Sequence, residues 1–206
     1  MKRLSLILLA IVCALCCAFT FVACNDEDTD STTPTSEVTA DQWKNALSKE
    51  TSLTIKMKDG EDIITIKVDG EKVLLDSYGT VQIVSKEGDK YYMYISSDGS
   101  SWSKSDSSAA FYESIAGIYK HFLSLFKNDY NSFTYKDGVY TCAFLDKTET
   151  EYENVTVGVC KNIVITFSND KVVNSKFDVE GGYPVEITDI GTTTINLPTV
   201  DSTLQE

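Results

Sequence analysis

From Thr51 onward the chain consists of short runs of β-branched and aromatic residues in alternation with polar ones. "SLTIKM" sets Leu53, Ile55 and Met57 against Thr54 and Lys56, a period of two that gives a strand one apolar and one polar face. "DIITIKV", "EKVLLDSY", "TVQIVS" and "KYYMYIS" follow, separated by "VDG" and "KEGD" and by other turn residues. Asp-Gly falls between or after such runs at Asp59-Gly60, Asp69-Gly70, Asp98-Gly99 and Asp137-Gly138. This is the favoured chemistry of a two-residue type I′ hairpin, where both central residues need φ > 0. The pattern resumes after a gap with "SFTYK", "VYTCAFLD", "VTVGVC", "NIVITFS", "KVVNSKFDVE", "PVEITDI" and a last "TTINLP". Roughly ten to twelve strands of ordinary length are expected, joined as an antiparallel meander.

Two segments carry helical spacing instead. "TADQWKNALSKE" opens on Thr39 as an N-cap and places Trp43, Ala46 and Leu47 on one side. The longer one, about Ser108 to Asn128, aligns Phe111, Ile115, Ile118, Phe122 and Leu125 by the three-four rule. Tyr112, Tyr119, Leu123 and Phe126 widen its apolar surface well beyond a narrow stripe. Such a helix needs extensive cover, which a strongly curved sheet wrapped around it would provide. "KYYMYIS" adds a related expectation. Tyr92 and Tyr94 lie on one face of that strand, with Tyr91, Met93 and Ile95 on the other. The strand is therefore covered on both sides, or one face lines a pocket.

The N-terminus follows different rules. Lys2 and Arg3 precede an uncharged apolar stretch from Leu4 to Ala23. That is the layout of a secretory signal over residues 1–23, and the run is also long enough to cross a bilayer as a helix. In either case the basic end stays in the cytoplasm and the remainder faces outward. At Cys24 the composition changes abruptly. "FVAC" resembles a bacterial lipobox, with Ala23 before the cysteine and Phe21 where leucine is usual, and the resemblance implies lipidation of Cys24 (a palmitate-type acyl anchor). The acidic, Ser/Thr-rich stretch that follows, to residue 39, has too few apolar side chains to fold and reads as a disordered tether. Residues 40–198 then form one domain, and 199–206 a polar tail.

Charge narrows the function classes. The formal charge is −13, and cleavage before Cys24 would remove two basic residues and no acidic one. A strongly acidic domain lacks the basic footprint of nucleic-acid binding and is not drawn to anionic lipid. Membrane association thus depends on the covalent anchor, and an envelope partner would be cationic. Cys142 and Cys160 are the only cysteines beyond the tether. In an exported chain they read either as a disulfide across a hairpin centred near Glu151 or as two buried thiols.

Catalytic and metal chemistry finds little support. His121 is the single histidine, and any Ser-His-Asp triad or zinc site would have to be built on it. Ser114 and Ser124 are within helical reach, but helical neighbours alone do not orient a nucleophile, and no Gly-x-Ser-x-Gly elbow occurs. A packing role for His121 is the simpler expectation. "NDEDTD" and "SDGSSWSKSD" begin like calcium loops, yet neither has the glycine and closing glutamate at the required spacing. No enzyme, cofactor or metal site is expected.

The order of elements resembles the LolA-like and LppX/LprAFG-like bacterial lipoproteins: a tethered N-terminal helix, hairpins, a central helical insertion and more hairpins. The ending "ITFSNDKVVNSKFDVEG…YPVEITDIGTTTINLP" is similar to the closing segment of many exported lipoproteins. The resemblance implies an α+β, mostly β fold, in which a curved antiparallel meander sheet forms an open half-barrel. A short N-terminal helix and a longer central helix would serve as its lid. It also implies a lipid or other apolar ligand between sheet and lid; the apolar helix and the aromatic set make Trp102, Phe111, Ile115, Ile118 and Phe122 the candidate lining residues. The alternative is a non-enzymatic interaction or structural module of the envelope with a closed core.

Overall fold

The computed structural model describes residues 37–48, 52–120, 122–152, 155–179 and 184–200. The sheet is built by the alternating runs: β1 (Ser52–Asp59), β2 (Asp62–Asp69), β3 (Lys72–Ser77), β4 (Thr80–Glu87), β5 (Lys90–Ser96) and β6 (Ser103–Ser107) in the first half. The second half supplies β7 (Thr134–Lys136), β8 (Val139–Tyr152), β9 (Val155–Ser168), β10 (Lys171–Val179) and β11 (Pro184–Thr188). All eleven join one open antiparallel sheet in the order β6-β5-β4-β3-β2-β1-β11-β10-β9-β8-β7. It is two meanders joined in the middle, because the last strand pairs with the first through Ile55↔Ile187 and its neighbours. The fold is mostly β, as the alternation implies, with the two helices on one face.

The hairpin turns depart from the Asp-Gly expectation. At Asp59-Gly60 and Asp69-Gly70 the aspartate ends its strand, pairing with Asp62 and Lys72 respectively. Glycine then takes the first central position, and only it has positive φ, which is the type II′ pattern. Asp137-Gly138 does occupy both central positions with positive φ, as type I′ requires. Tyr78-Gly79 (φ 49° and 78°) does the same without an aspartate. Asp98-Gly99 lies in a wider loop, where the Asp98 carboxylate accepts the backbone N–H groups of Ser100 and Ser101.

Two strands are longer than expected. β8 and β9 run for 14 residues each, and irregularities bend them. The β9–β10 register shifts around Val173 and again around Asn162, whose φ is +52°. The extra residues change which side chains face inward: Val172 and Ser175 are both buried, as are Ile163 and Cys160. Val173 is left exposed on the outside. These bulges bend the second meander.

The inner face holds Leu53, Ile55, Ile64, Ile66, Val68, Ile165, Phe177 and Ile187 in one apolar core. Helix α1 (Ala40–Ala46) closes one end of it. Thr39 caps the helix as its sequence suggests, in a capping box with Gln42. Trp43 is fully buried and donates its indole N–H to the Phe126 carbonyl at 3.0 Å. Its ring stacks on Phe167 and meets Tyr140 edge-on. The Tyr140 hydroxyl accepts the Val38 amide at 2.7 Å; burial, the main cause, raises the tyrosine pKa to about 12.

The expected central helix is divided. Helix α2 (Ala109–Lys120) is followed by a 3₁₀ turn, Leu123–Phe126, and a second at Tyr130–Ser132. The break rotates the apolar surface. Of the α2 residues expected to pack, Tyr112 is buried, while Phe111, Ile115 and Tyr119, and Phe122 beyond the helix, are only half-buried; Ala116, which the spacing did not single out, is buried beside Tyr112. Leu123, Leu125 and Phe126 are fully inside.

The "TTINLP" segment is not a strand. It crosses the outer face of the sheet as an extended strap, tied by Thr54–Thr193 (2.9 Å), Lys72 to the Ile195 carbonyl (2.8 Å) and the Ile195 amide to Asp69 (2.9 Å). Ile195 packs there on Ile83 and Tyr94. Strand β5 is thus covered on both sides, with Tyr91 and Met93 facing the helices and Tyr92 and Tyr94 facing the strap.

Candidate functional site

The candidate site is the apolar interior between the sheet and α2. Phe111, Ile115 and Phe122 stand along its rim, packed against the core yet incompletely covered. Phe122 sits 6.2 Å from the Phe177 ring and 6.1 Å from Tyr119, centroid to centroid. Burial raises the pKa of Tyr119. Among the described residues, the buried Ser175 hydroxyl on the inner face of β10 has no hydrogen-bond partner.

Trp102 does not belong to this group. It lies on the opposite face of the sheet, against Ile83, Tyr94 and the strap residue Ile195. The reason is the strap, which makes a second small core where alternation alone placed solvent. That outer face carries its own polar cluster. Lys104 sits 3.6 Å from the Tyr92 ring centroid and pairs with Glu87 at 3.5 Å, and Glu87 accepts from Ser85 and Tyr94. Burial pushes the Glu87 carboxyl up, but those hydrogen bonds and the Lys104 charge together hold it below its ordinary value.

Cys142 and Cys160 are free thiols, which corrects the disulfide reading. The β8–β9 ladder pairs Cys142 with Ile163 and Cys160 with Leu145. The hairpin closes at Tyr152↔Val155 rather than at Glu151, and a register shift between Lys147 and Glu151 adds to the offset. The sulfurs therefore never come opposite each other. Cys160 is fully buried, and desolvation raises its pKa to about 11, with Lys147 pulling down and Asp129 pushing up. Cys24 and His121 lie outside the described residues, as does the side chain of Ile118.

One charged pair near this interior was not anticipated. Lys147 is buried and bonds to Asp129, which follows the first 3₁₀ turn. In sequence Lys147 looks like an ordinary solvent-facing position of "FLDKTETEY". Only the change of facing between Cys142 and Leu145, both packed on the core, turns it inward. Among the described residues no cluster of three or more His, Cys, Asp or Glu side chains could hold a metal ion. Compared with protein-family models and with curated proteins, the chain matches none.

Proposed function

We propose that this chain is a bacterial lipoprotein, anchored through Cys24 on the extracytoplasmic side of the cell membrane, that binds a lipid or other hydrophobic ligand between its curved sheet and helical lid. The reading is non-catalytic. What supports it most is the band of Phe111, Ile115, Tyr119 and Phe122, large apolar residues that adjoin the core but keep part of their surface in contact with solvent. Ligand sites are lined predominantly by apolar and aromatic side chains of this kind. No helix among the described residues is long and apolar enough to cross a membrane. The test is uptake of a fluorescent acyl-chain probe by residues 37–206. Saturable binding weakened by Phe122→Ala in a folded variant supports the reading. No probe bound at any concentration, with Phe122→Ala lowering stability alone, overturns it.

A second reading is favoured by a different observation. Phe144 is 54 % exposed, and β7 pairs with β8 only from Val139 to Thr141, so among the described residues the strand has an unpaired edge beside an exposed phenylalanine. An interaction module would use that edge to add a partner strand. Stoichiometric capture of one cationic envelope protein, abolished by Phe144→Asp and free of lipid, would favour it.

A further inference from the structure

The interior contains one group that an apolar pocket does not need. Lys147 is 8 % exposed and is the only charged residue buried among those described. It lies two residues beyond Leu145, and its ammonium meets Asp129 Oδ2. The Cys160 thiol feels both charges, so the three groups gather at one end of the core. Opposite Lys147 in the ladder is Gly158, where an added methyl group would meet nothing within 4 Å. Gly158 is only partly buried, so the lysine's neighbour across the ladder is open on one side.

Cys160 connects this end to the helix side. Its ladder partner on β10 is Val179, two residues after Phe177, whose ring lies 6.2 Å from Phe122. The path from β8 to β10 crosses two strand spacings, roughly 10 Å, along apolar side chains. A buried ion pair seldom repays the desolvation of its charges, and an apolar residue at the same place would generally serve stability as well. Of the two partners Asp129 is the nearer to solvent, its side chain 19 % exposed against 10 % for Lys147. It is therefore the easier to displace. The folded domain has no arginine, hence none of the forked donors that suit phosphate.

We propose that Lys147 receives the carboxylate of a single-chain amphiphile, a long-chain fatty acid, whose tail lies along Val179, Phe177 and Phe122, with Asp129 holding the ammonium when no ligand is bound. This deepens the ligand-binding reading and rests on it. The carboxylate replaces one anionic partner of Lys147 by another, so the charge stays paired while the tail leaves water.

The test compares cis-parinaric acid with its methyl ester on residues 37–206 after organic extraction, in the unaltered sequence, Lys147→Met and Asp129→Asn. The unaltered domain should prefer the acid by about tenfold, the scale of one charge-assisted hydrogen bond. Lys147→Met should abolish that preference by weakening the acid alone. Asp129→Asn, which removes the competing carboxylate, should tighten the acid and leave the ester unchanged. Equal affinities for acid and ester in the unaltered domain would overturn the head-group site while leaving apolar binding intact. Failure of both probes to bind would overturn both. If Lys147→Met does not fold, the acid-to-ester ratio and the Asp129→Asn response still decide.

Discussion

Trp43 is the side chain whose loss should damage this fold most. It is fully buried, and its indole N–H reaches across from α1 to the Phe126 carbonyl. Its ring contacts Tyr130, Phe133, Tyr140 and Phe167. Replacement by alanine removes the largest apolar surface in the cluster and leaves a hole that a rigid sheet cannot collapse to fill. Buried aromatic-to-alanine changes cost about 3–5 kcal/mol. Trp43→Phe keeps a ring but gives up the indole hydrogen bond; the Phe126 carbonyl still accepts the Asp129 amide, so the loss should be about 0.5–1.5 kcal/mol. Against a total stability of about 5–15 kcal/mol, the alanine variant should be close to unfolding. Urea denaturation of residues 37–206, followed by far-ultraviolet circular dichroism, measures both. The midpoint should fall in the order unaltered, Trp43→Phe, Trp43→Ala, with an unchanged slope. If Trp43→Ala cost under about 1 kcal/mol, far below the buried-aromatic range, α1 would not be part of the cooperative unit and the packing argument would fail.

Thiol titration of the same fragment should give two reactive groups in denaturant without reductant, with Cys160 slow in the native state because it is buried and its pKa is about 11. Asp69→Ala removes the carboxylate that receives the Ile195 amide and Lys72; it should cost about 1–3 kcal/mol and open residues 192–198 to proteolysis. The same bond makes the strap acid-sensitive. The Ile195 amide, the largest influence, and Lys72 hold the Asp69 pKa below its ordinary value of 3.8, so its contribution is complete above that value and lost as pH falls through the lower, folded pKa. Hydrogen exchange of the Ile195 amide against pH, corrected for intrinsic rates, reads this directly. Gly79→Ala meets no neighbouring atom within 4 Å but must keep φ near +78°, so its penalty should be purely conformational, about 1–2 kcal/mol by urea titration.

Much of this fold can be read along the chain, because strands and caps are local events. Alternation locates the strands, the two apolar faces of "KYYMYIS" correctly imply cover on both sides, and Thr39 is visible as a cap. The features that escape are long-range. Nothing in the "PVEIT" run says that it pairs with β1 rather than only with its predecessor, since backbone pairing is indifferent to sequence distance. The strap looks like a strand because Ile195 and Leu197 alternate, and only its course over the outer face, where Ile195 meets Ile83 and Tyr94, shows that their burial comes from crossing the sheet. Trp102 is misplaced for the same reason. Lys147 escapes because the facing of β8 changes between Cys142 and Leu145, which moves side chains from one face to the other.

Native mass spectrometry of residues 37–206, purified without detergent from a bacterial host, tests the central claim most directly. Ligand binding between sheet and lid predicts a co-purified mass of lipid size that is lost on organic extraction and restored by adding the extract. A domain that is always free of such a mass, and that takes up nothing from the extract of its host, would contradict it.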